Sequence, residues 1–330
     1  MITNDPSNWK QARFQLALSL VEQASHLSRE FQSDLSTQTV QKRDSSPVTV
    51  VDLAVQALVS LRLREQFPKD RLVAEESAEQ LESDAQLLHQ VQRLLKPYLG
   101  EISPEQVVSS FSGTESSSGF HWILDPIDGT KGFLRGDQFA VALAGMEEGE
   151  LLFGLLGCPR LGLRGAEKGN GVVGAAFRGR GSWQKELAGE SWERVAVSTE
   201  KDVSSLRLLR SFEPAHTNEE QLENFVSQHG IVAEPVRLDS QAKYLLLARG
   251  DAEAVVRCLS PSRPNYREKV WDQAAGAIVV EEAGGQISDL NEAPLRFGQG
   301  KELGHNSGVV ASNGIMLGLD WSALRPSTTS

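Results

Sequence analysis

Apolar residues return every three or four positions from about Trp9 to Phe31, the spacing of a helix that buries one stripe. The segment Phe14-Gln-Leu-Ala-Leu-Ser-Leu-Val-Glu-Gln-Ala belongs to it. A turn is expected around Lys42 to Pro47. Thr49 then reads as the N-cap of a helix through Phe67, which Pro68 closes. Arg71-Leu-Val-Ala reads as a short strand running into Glu75-Glu76, and 85–96 as a helix. Ser109 to Gly119, rich in Ser and Gly, reads as a loop. A buried strand, Trp122-Ile-Leu, ends at Asp125. Two apolar stretches, Phe139 to Met146 and Leu151 to Leu156, are split by Glu-Glu-Gly-Glu, the signal of a hairpin. Glycines crowd 162–181 and predict tight β-turns, and a strand near Arg194 to Val197 closes this half.

Beyond it the pattern changes. Strands near 206–211, 234–238, 252–257, 285–288 and 308–311 alternate with helices near 217–228, 240–249 and 271–283. Such alternation predicts an α/β layer, whereas the first half reads as α+β. The boundary is placed near residue 198, giving units 1–197 and 198–330. No internal repeat is visible.

Composition narrows the class. The chain has 330 residues and a formal net charge of −11. Its 40% hydrophobic and 23% charged content is that of an ordinary folded protein, not a disordered or fibrous one. At this length a core forms without staples. The acid excess repels a nucleic-acid backbone, so no nucleic-acid partner is expected, while a small phosphorylated ligand stays open because a bound metal reverses the field locally. No apolar run approaches the ~18 residues of a membrane span. The N-terminus lacks the basic-then-apolar order of a signal peptide, and Cys158 and Cys258 read as buried free thiols. Together these predict a cytoplasmic protein with no membrane partner.

The most informative stretch is Trp122-Ile-Leu-Asp125-Pro126-Ile127-Asp128-Gly129-Thr130-Lys131-Gly132-Phe133. A strand delivers Asp125, Pro126 turns the chain, and Asp128 follows three residues on, so both carboxylates can face one space. Gly129 permits close backbone approach, and a helix starting here would offer the Gly129 and Thr130 N–H groups to an anion. Two neighbouring carboxylates repel, and a divalent cation removes the conflict. Mg²⁺ prefers such hard oxygens and keeps positions open for water and phosphate, so the stretch points to metal-assisted phosphate chemistry. A solvated acidic turn is the alternative. Further acids stand at element ends. Glu75 and Glu76 follow a strand, Asp52 is read in the first turn of a helix, and Asp272 is read at a helix start within Val270-Trp271-Asp272-Gln273-Ala-Ala-Gly276-Ala.

Three of these segments, in this order, are similar to the Mg²⁺-dependent, lithium-sensitive phosphatase superfamily of inositol monophosphatases, fructose-1,6-bisphosphatases and bisphosphate nucleotidases. They are Ala74-Glu75-Glu76-Ser77, Asp125-Pro-Ile-Asp-Gly-Thr130 and Trp271-Asp272-Gln-Ala-Ala-Gly276. The resemblance spans roughly residues 45–312. Within the superfamily, Thr130-Lys-Gly-Phe-Leu-Arg-Gly-Asp-Gln-Phe-Ala-Val-Ala-Leu-Ala144 and Leu238-Asp-Ser240-Gln-Ala-Lys243-Tyr244 resemble the 3′(2′),5′-bisphosphate nucleotidases.

The resemblance implies a layered α-β-α-β-α sandwich of the sugar-phosphatase type, with a larger α+β N-terminal part and a smaller α/β C-terminal part. It implies two or three Mg²⁺ ions, one held by Glu75, Asp125 and the Ile127 carbonyl, another by Asp125, Asp128 and Asp272. It assigns Asp52, with the Thr130 hydroxyl, to the attacking water. It puts Gly129 and Thr130 on the substrate, and His216, Ser240, Lys243 and Arg257 on the nucleotide. The implied reaction is hydrolysis of the 3′-phosphate of adenosine 3′,5′-bisphosphate or its 5′-phosphosulfate relative, with inhibition by Li⁺. Ser240 and Lys243 are expected on one helix face. The chain departs from that subfamily at Gln273, where His is common, and at Glu213-Pro-Ala, where Glu-Lys-Gly is common.

Other classes fit less well. Gly169-Asn-Gly171-Val-Val-Gly174 matches GxGxxG but lacks the strand before and helix after it, so a hairpin is expected there. There is no GxSxG, no HExxH and no Cys/His cluster. Paired acids also serve glycosidases, but Gly-Thr after Asp128 suits phosphate better. An inositol- or sugar-phosphate phosphatase, and a non-catalytic sensor of phosphorylated ligands, remain as alternatives.

Overall fold

The computed structural model describes residues 5–9, 11–37, 47–112, 119–212, 218–258 and 266–324. Two sheets organise the chain. The first takes seven strands in sequence order, β1 (Arg71–Ala74), β2 (Phe120–Asp128), β3 (Ala140–Glu147), β4 (Glu150–Cys158), β5 (Val172–Phe177), β6 (Gly181–Glu186) and β7 (Glu193–Val195). β1 runs parallel to β2, and the remaining neighbours are antiparallel. β3 and β4 form the expected hairpin, turning at Glu148-Gly149, both at positive φ. The glycine-rich 169–174 stretch runs into β5, which pairs back on β6, so no dinucleotide-type helix follows it.

The second sheet is mixed. β8 (Leu208–Arg210), β9 (Val236–Arg237), β10 (Ala254–Arg257), β11 (Gln286–Ser288) and β12 (Val309–Ser312) stand in the order β11-β12-β10-β8-β9. Its parallel pairs are β10–β8 and β8–β9.

Helices fill the layers on either side. α1 (Ala12–Thr37) and α2 (Pro47–Gln66) lie on the outer face of the first sheet, with α3 (Glu79–Ser83), α4 (Ala85–Leu99) and α5 (Pro104–Ser109) beside them. α8 (Ala242–Ala248) and α9 (Ala274–Glu282) lie between the sheets. α7 (Glu219–Gln228) presses Leu222 and Phe225 against Leu208, Val256 and Val310 on the far face of the second sheet. The short α6 (Thr130–Leu134) follows β2. The result is a five-layer α-β-α-β-α stack. The sheet content changes between Val195 and Leu208, on either side of residue 198. One apolar cluster runs from Ala142 and Leu156 through Leu245 and Ile278 to Val255 and Ala311, so the two sheets share the α8–α9 core. We take the division into 1–197 and 198–330 as a proposal.

Several expectations shift in detail. Thr49 lies inside α2 and does not cap it. Pro47 already stands in that helix, where its fixed φ suits the first turn and its missing N–H costs no hydrogen bond. Asp52 is therefore past the first turn, beyond the reach of the helix N-terminal dipole. The capping box Ser103–Gln106 opens α5, an element the apolar spacing did not show. The turn expected at 42–47 and the loop at 109–119 fall largely outside the described residues. No helix among the described residues is long and apolar enough to cross a membrane.

Candidate active site

β2 carries the Asp-Pro-Ile-Asp stretch through to Asp128. In a regular strand, residues three apart point to opposite faces. Here Asp125 pairs with Ala142 and Asp128 with Ala140, so β2 spends one residue more than β3 over this span. That irregularity restores the parity and lets both carboxylates serve one side. Pro126, which has no N–H to give to the ladder, falls within it. Gly129 follows at φ +88°, a left-handed conformation, and a Cβ there would stand 3.0 Å from Ser240 Cβ. Thr130 then opens α6, with Phe133 N–H bonded to Gly129 O at 2.9 Å.

These residues form one wall of a cleft of about 390 Å³ between the ends of the two sheets. Glu75, Asp125, Ile127, Asp128, Gly129, Thr130, Ser240, Lys243, Arg257 and Asp272 all line it. Asp52 does not. It is buried behind this wall on α2, which packs against β2 and α6. His216 lies outside the described residues. Ser240 is not on the helix of Lys243. It stands ahead of α8 at φ +70°, and its hydroxyl accepts the Ala242 N–H at 3.2 Å. The residue after it, Gln241, donates its N–H to Asp128 Oδ2 at 2.6 Å. Gln241 also ties the layers together, giving Nε2 to Trp271 O at 2.8 Å and accepting Gly276 N–H at 3.1 Å.

Lining residues that motif reasoning missed include Ser211, Asp239, Tyr266 and Glu268. Asp239 lies within the Leu238–Tyr244 stretch. It accepts from the Ser211 hydroxyl, from Phe212 N–H at 3.1 Å and from the Arg135 guanidinium. Glu268 is buried, and its Oε2 lies 3.0 Å from Arg257 Nη2. No local pattern marked it. Gln273, the departure noted above, is fully buried. It donates Nε2 to Glu268 Oε2 at 2.9 Å and accepts the Tyr244 hydroxyl.

The electrostatics are those of acids crowded out of water. Burial, then Asp128, Glu75, Asp272 and Asp52, push the Asp125 carboxyl well above its ordinary range. Burial, Glu76 and Asp128 raise Glu75 to about 7. Burial raises Asp272 to about 8 against the pull of Arg257, with Asp128 and Glu268 adding to the rise. Asp52 is raised well above its usual value by burial, Glu76 and Glu75. In the same cleft, burial and Arg257 lower Lys243 to about 8.

Among the described residues no group of three or more His, Cys, Asp or Glu is gathered tightly enough to hold a metal ion as it stands. The donors nevertheless suit a hard divalent cation. They are carboxylate oxygens that repel one another, and Asp125 Oδ1 is buried without a hydrogen-bond partner. A cation among Glu75, Asp125, Asp128 and Asp272 would remove both costs.

The model of the inositol monophosphatase family matches residues 7–326. A 3′(2′),5′-bisphosphate nucleotidase from Oryza sativa is 38% identical over 326 residues, covering 92% of this chain and 90% of that protein. A 3′(2′),5′-bisphosphate nucleotidase 2 from Candida albicans is 35% identical over 337 residues (92% and 93%), and the Schizosaccharomyces pombe 3′(2′),5′-bisphosphate nucleotidase 36% over 326 (91% of each). Among solved structures, an inositol monophosphatase from Zymomonas mobilis superposes with TM-score 0.61 at 16% identity, covering 92% of this chain and 94% of that one. A Thermotoga maritima IMPase gives 0.61 at 20% (93% and 94%). At those identities the structures speak for the fold.

Proposed function

The chain belongs to the inositol monophosphatase family, and from that premise we propose that it is a Mg²⁺-dependent phosphatase that removes the 3′-phosphate of adenosine 3′,5′-bisphosphate. The observation that carries the reading is that acids and cations line one cleft. Glu75, Asp125, Asp128 and Asp272 line the same space as Lys243 and Arg257. The acids suit metal and a scissile phosphate, and the two cations among them suit a second phosphate. The relatives' shared name describes a substrate with two phosphates.

In this reading Glu75, Asp125, the Ile127 carbonyl, Asp128 and Asp272 hold two or three ions. Bound Mg²⁺ supplies charge neutralisation at the phosphate and lowers the pKa of water. The chain's own groups do the rest. The Thr130 hydroxyl orients the attacking water, whose proton passes into the acid set of the wall, and the resemblance assigns Asp52, buried behind that wall, to this step. The water oxygen bonds to the 3′-phosphorus as the bond to the 3′-oxygen breaks, giving AMP and phosphate. Lys243 and Arg257 hold the 5′-phosphate, with the Ser240 hydroxyl and Gly129 beside it. His216 is assigned to the nucleotide by the same reading, the 5′-phosphosulfate is a second substrate, and the cytoplasm is the proposed location.

Phosphate release with Mg²⁺ tests this. The panel holds adenosine 3′,5′-bisphosphate, inositol 1-phosphate, inositol 1,4-bisphosphate and fructose 1,6-bisphosphate. A strong preference for the nucleotide, with turnover inhibited by millimolar Li⁺, is expected. Preference for inositol or sugar phosphates would keep the metal chemistry and overturn the substrate. Tight binding without phosphate release would favour a sensor.

A further inference from the structure

Arg257 Nη2 stands between two acids. It is 3.0 Å from Glu268 Oε2 and 3.9 Å from Asp272 Oδ2. One of these acids is assigned to metal; the other has no role in the reading above. Glu268 itself is held. Its Oε2 takes the Gln273 amide at 2.9 Å, and the amide's other end accepts the Tyr244 hydroxyl. Tyr244 stays a donor because burial raises its phenol further above neutral pH. The hydroxyl therefore fixes which end of Gln273 faces Glu268. All three tethering groups are buried, and the chain ends on a guanidinium whose Nε is buried without a partner. That Nε is a donor in reserve for a ligand oxygen.

We propose that Glu268, anchored by Gln273 and Tyr244, is a positioning residue that holds Arg257 toward the substrate and away from Asp272. The inference rests on the assignment of Asp272 to Mg²⁺ and of Arg257 to the second phosphate. The physical argument is competition. In a buried cleft an unrestrained guanidinium seeks the nearest carboxylate. With Glu268 neutral, that carboxylate is Asp272, and an Arg257–Asp272 pair blocks a metal donor and withdraws a phosphate contact in one movement. Glu268 prevents this by offering Arg257 a closer acid that no metal needs. Gln273 and Tyr244 serve by keeping Glu268 from turning into the cleft itself.

The test is a double-mutant cycle on Mg²⁺ affinity, read by isothermal titration calorimetry without substrate. Glu268→Gln keeps the shape and removes the charge. It is expected to weaken Mg²⁺ binding on the order of 10-fold, the scale seen when a metal ligand loses its outer partner. The KM for adenosine 3′,5′-bisphosphate should rise alongside. In an Arg257→Gln background the same change should alter Mg²⁺ affinity less than about 2-fold, because no guanidinium is left to stray. Gln273→Leu, which cuts the tether but leaves Glu268 charged, should give a smaller loss in the same direction, also cancelled by Arg257→Gln. If Glu268→Gln does not fold, this second variant carries the cycle. Unchanged Mg²⁺ affinity in Glu268→Gln, or an equal loss with Arg257 absent, overturns the proposal. Calorimetry separates this outcome from the substrate reading, which fails instead if the unaltered protein leaves adenosine 3′,5′-bisphosphate intact.

Discussion

Gly276 is a position where a single added methyl group meets a close-packed ring. It lies within α9, where alanine is the better helix former by about 1 kcal/mol. Helix propensity alone therefore favours Gly276→Ala. Packing opposes it. An ideal Cβ at Gly276 would meet Tyr244 Cδ2 at 2.0 Å and Cγ at 2.5 Å, where ordinary contacts begin near 3.4 Å. Because Cγ is involved, turning the ring does not relieve the clash, and α8 must move away from α9. Both helices are buried between the two sheets, so the displacement propagates through close-packed core. Overpacking of this kind costs about 3 kcal/mol at the upper end of its range, which leaves a net loss of about 2 kcal/mol. For a chain of this length the unfolding entropy is roughly 0.7 kcal/mol per kelvin, so the melting temperature should fall by about 3 °C. Thermal melts followed by circular dichroism measure it. Gly304→Ala is the control, since nothing stands within 4 Å of its Cβ, and it should melt with the parent. A Gly276→Ala protein melting within 1 °C of the parent, or a control that falls as far, would refute the packing argument.

Asp125→Asn should lower kcat by about a thousandfold, since it removes a donor from the group assigned to the phosphate-activating charge. It should also raise the melting temperature of metal-free protein at pH 8, because one member of a mutually repelling buried set is gone; retained turnover would contradict the assignment. Glu75 and Asp272 have folded-state values of about 7 and about 8, above the unfolded carboxylate range, so the folded chain holds their protons more tightly. Their contribution to stability is thus present at about pH 4 and is lost as pH rises through 7 and 8. Melts in EDTA should fall across that window, and millimolar Mg²⁺ should flatten the fall; an equal slope with and without Mg²⁺ would count against these acids as its ligands. Burial pushes the Cys158 thiol to about 12, so maleimide at neutral pH should spare it in the native protein and label it after denaturation. Rapid native labelling at Cys158, read by mass spectrometry, would contradict that burial.

What was legible in the chain is what local rules encode. The Asp125–Thr130 stretch declared itself because two acids, a proline and a glycine at fixed spacing have few uses. The β3–β4 hairpin was legible because Glu148-Gly149 separates two apolar runs. The five strands of the second sheet were legible as short apolar runs, two of them set between helical patterns. Thr49 misled because a capping residue type outweighed Pro47, which suits the same first turn. Ser240 and Lys243 were expected to share a helix face, but the chain reaches +70° at Ser240 and α8 begins only at Ala242. Ser240 reaches the cleft from the turn and Lys243 from the first turn of α8, so they share no helix face. Glu268 could not be found, since its role depends on Arg257 from β10 and Gln273 ahead of α9 meeting across the core.

The bulge in β2 and the turn before α8 are two halves of one construction. Each sheet alone would present a single kind of charge. The first supplies Asp125 and Asp128 by breaking its ladder, and the layer between the sheets supplies Lys243 from α8 and Asp272 ahead of α9. Gln241 locks these parts in register, since its backbone N–H binds Asp128 while its side chain spans Trp271 O and Gly276 N–H. A shift of α8 by one residue would therefore displace Asp128's hydrogen bond and Lys243 together. That coupling explains how a chain of net charge −11 can keep the site proposed for a doubly phosphorylated anion. The field that matters is set within the cleft, where Arg257 and Lys243 sit among acids that burial keeps partly protonated. There a divalent cation added to the donor set turns a repelling floor into an attracting one.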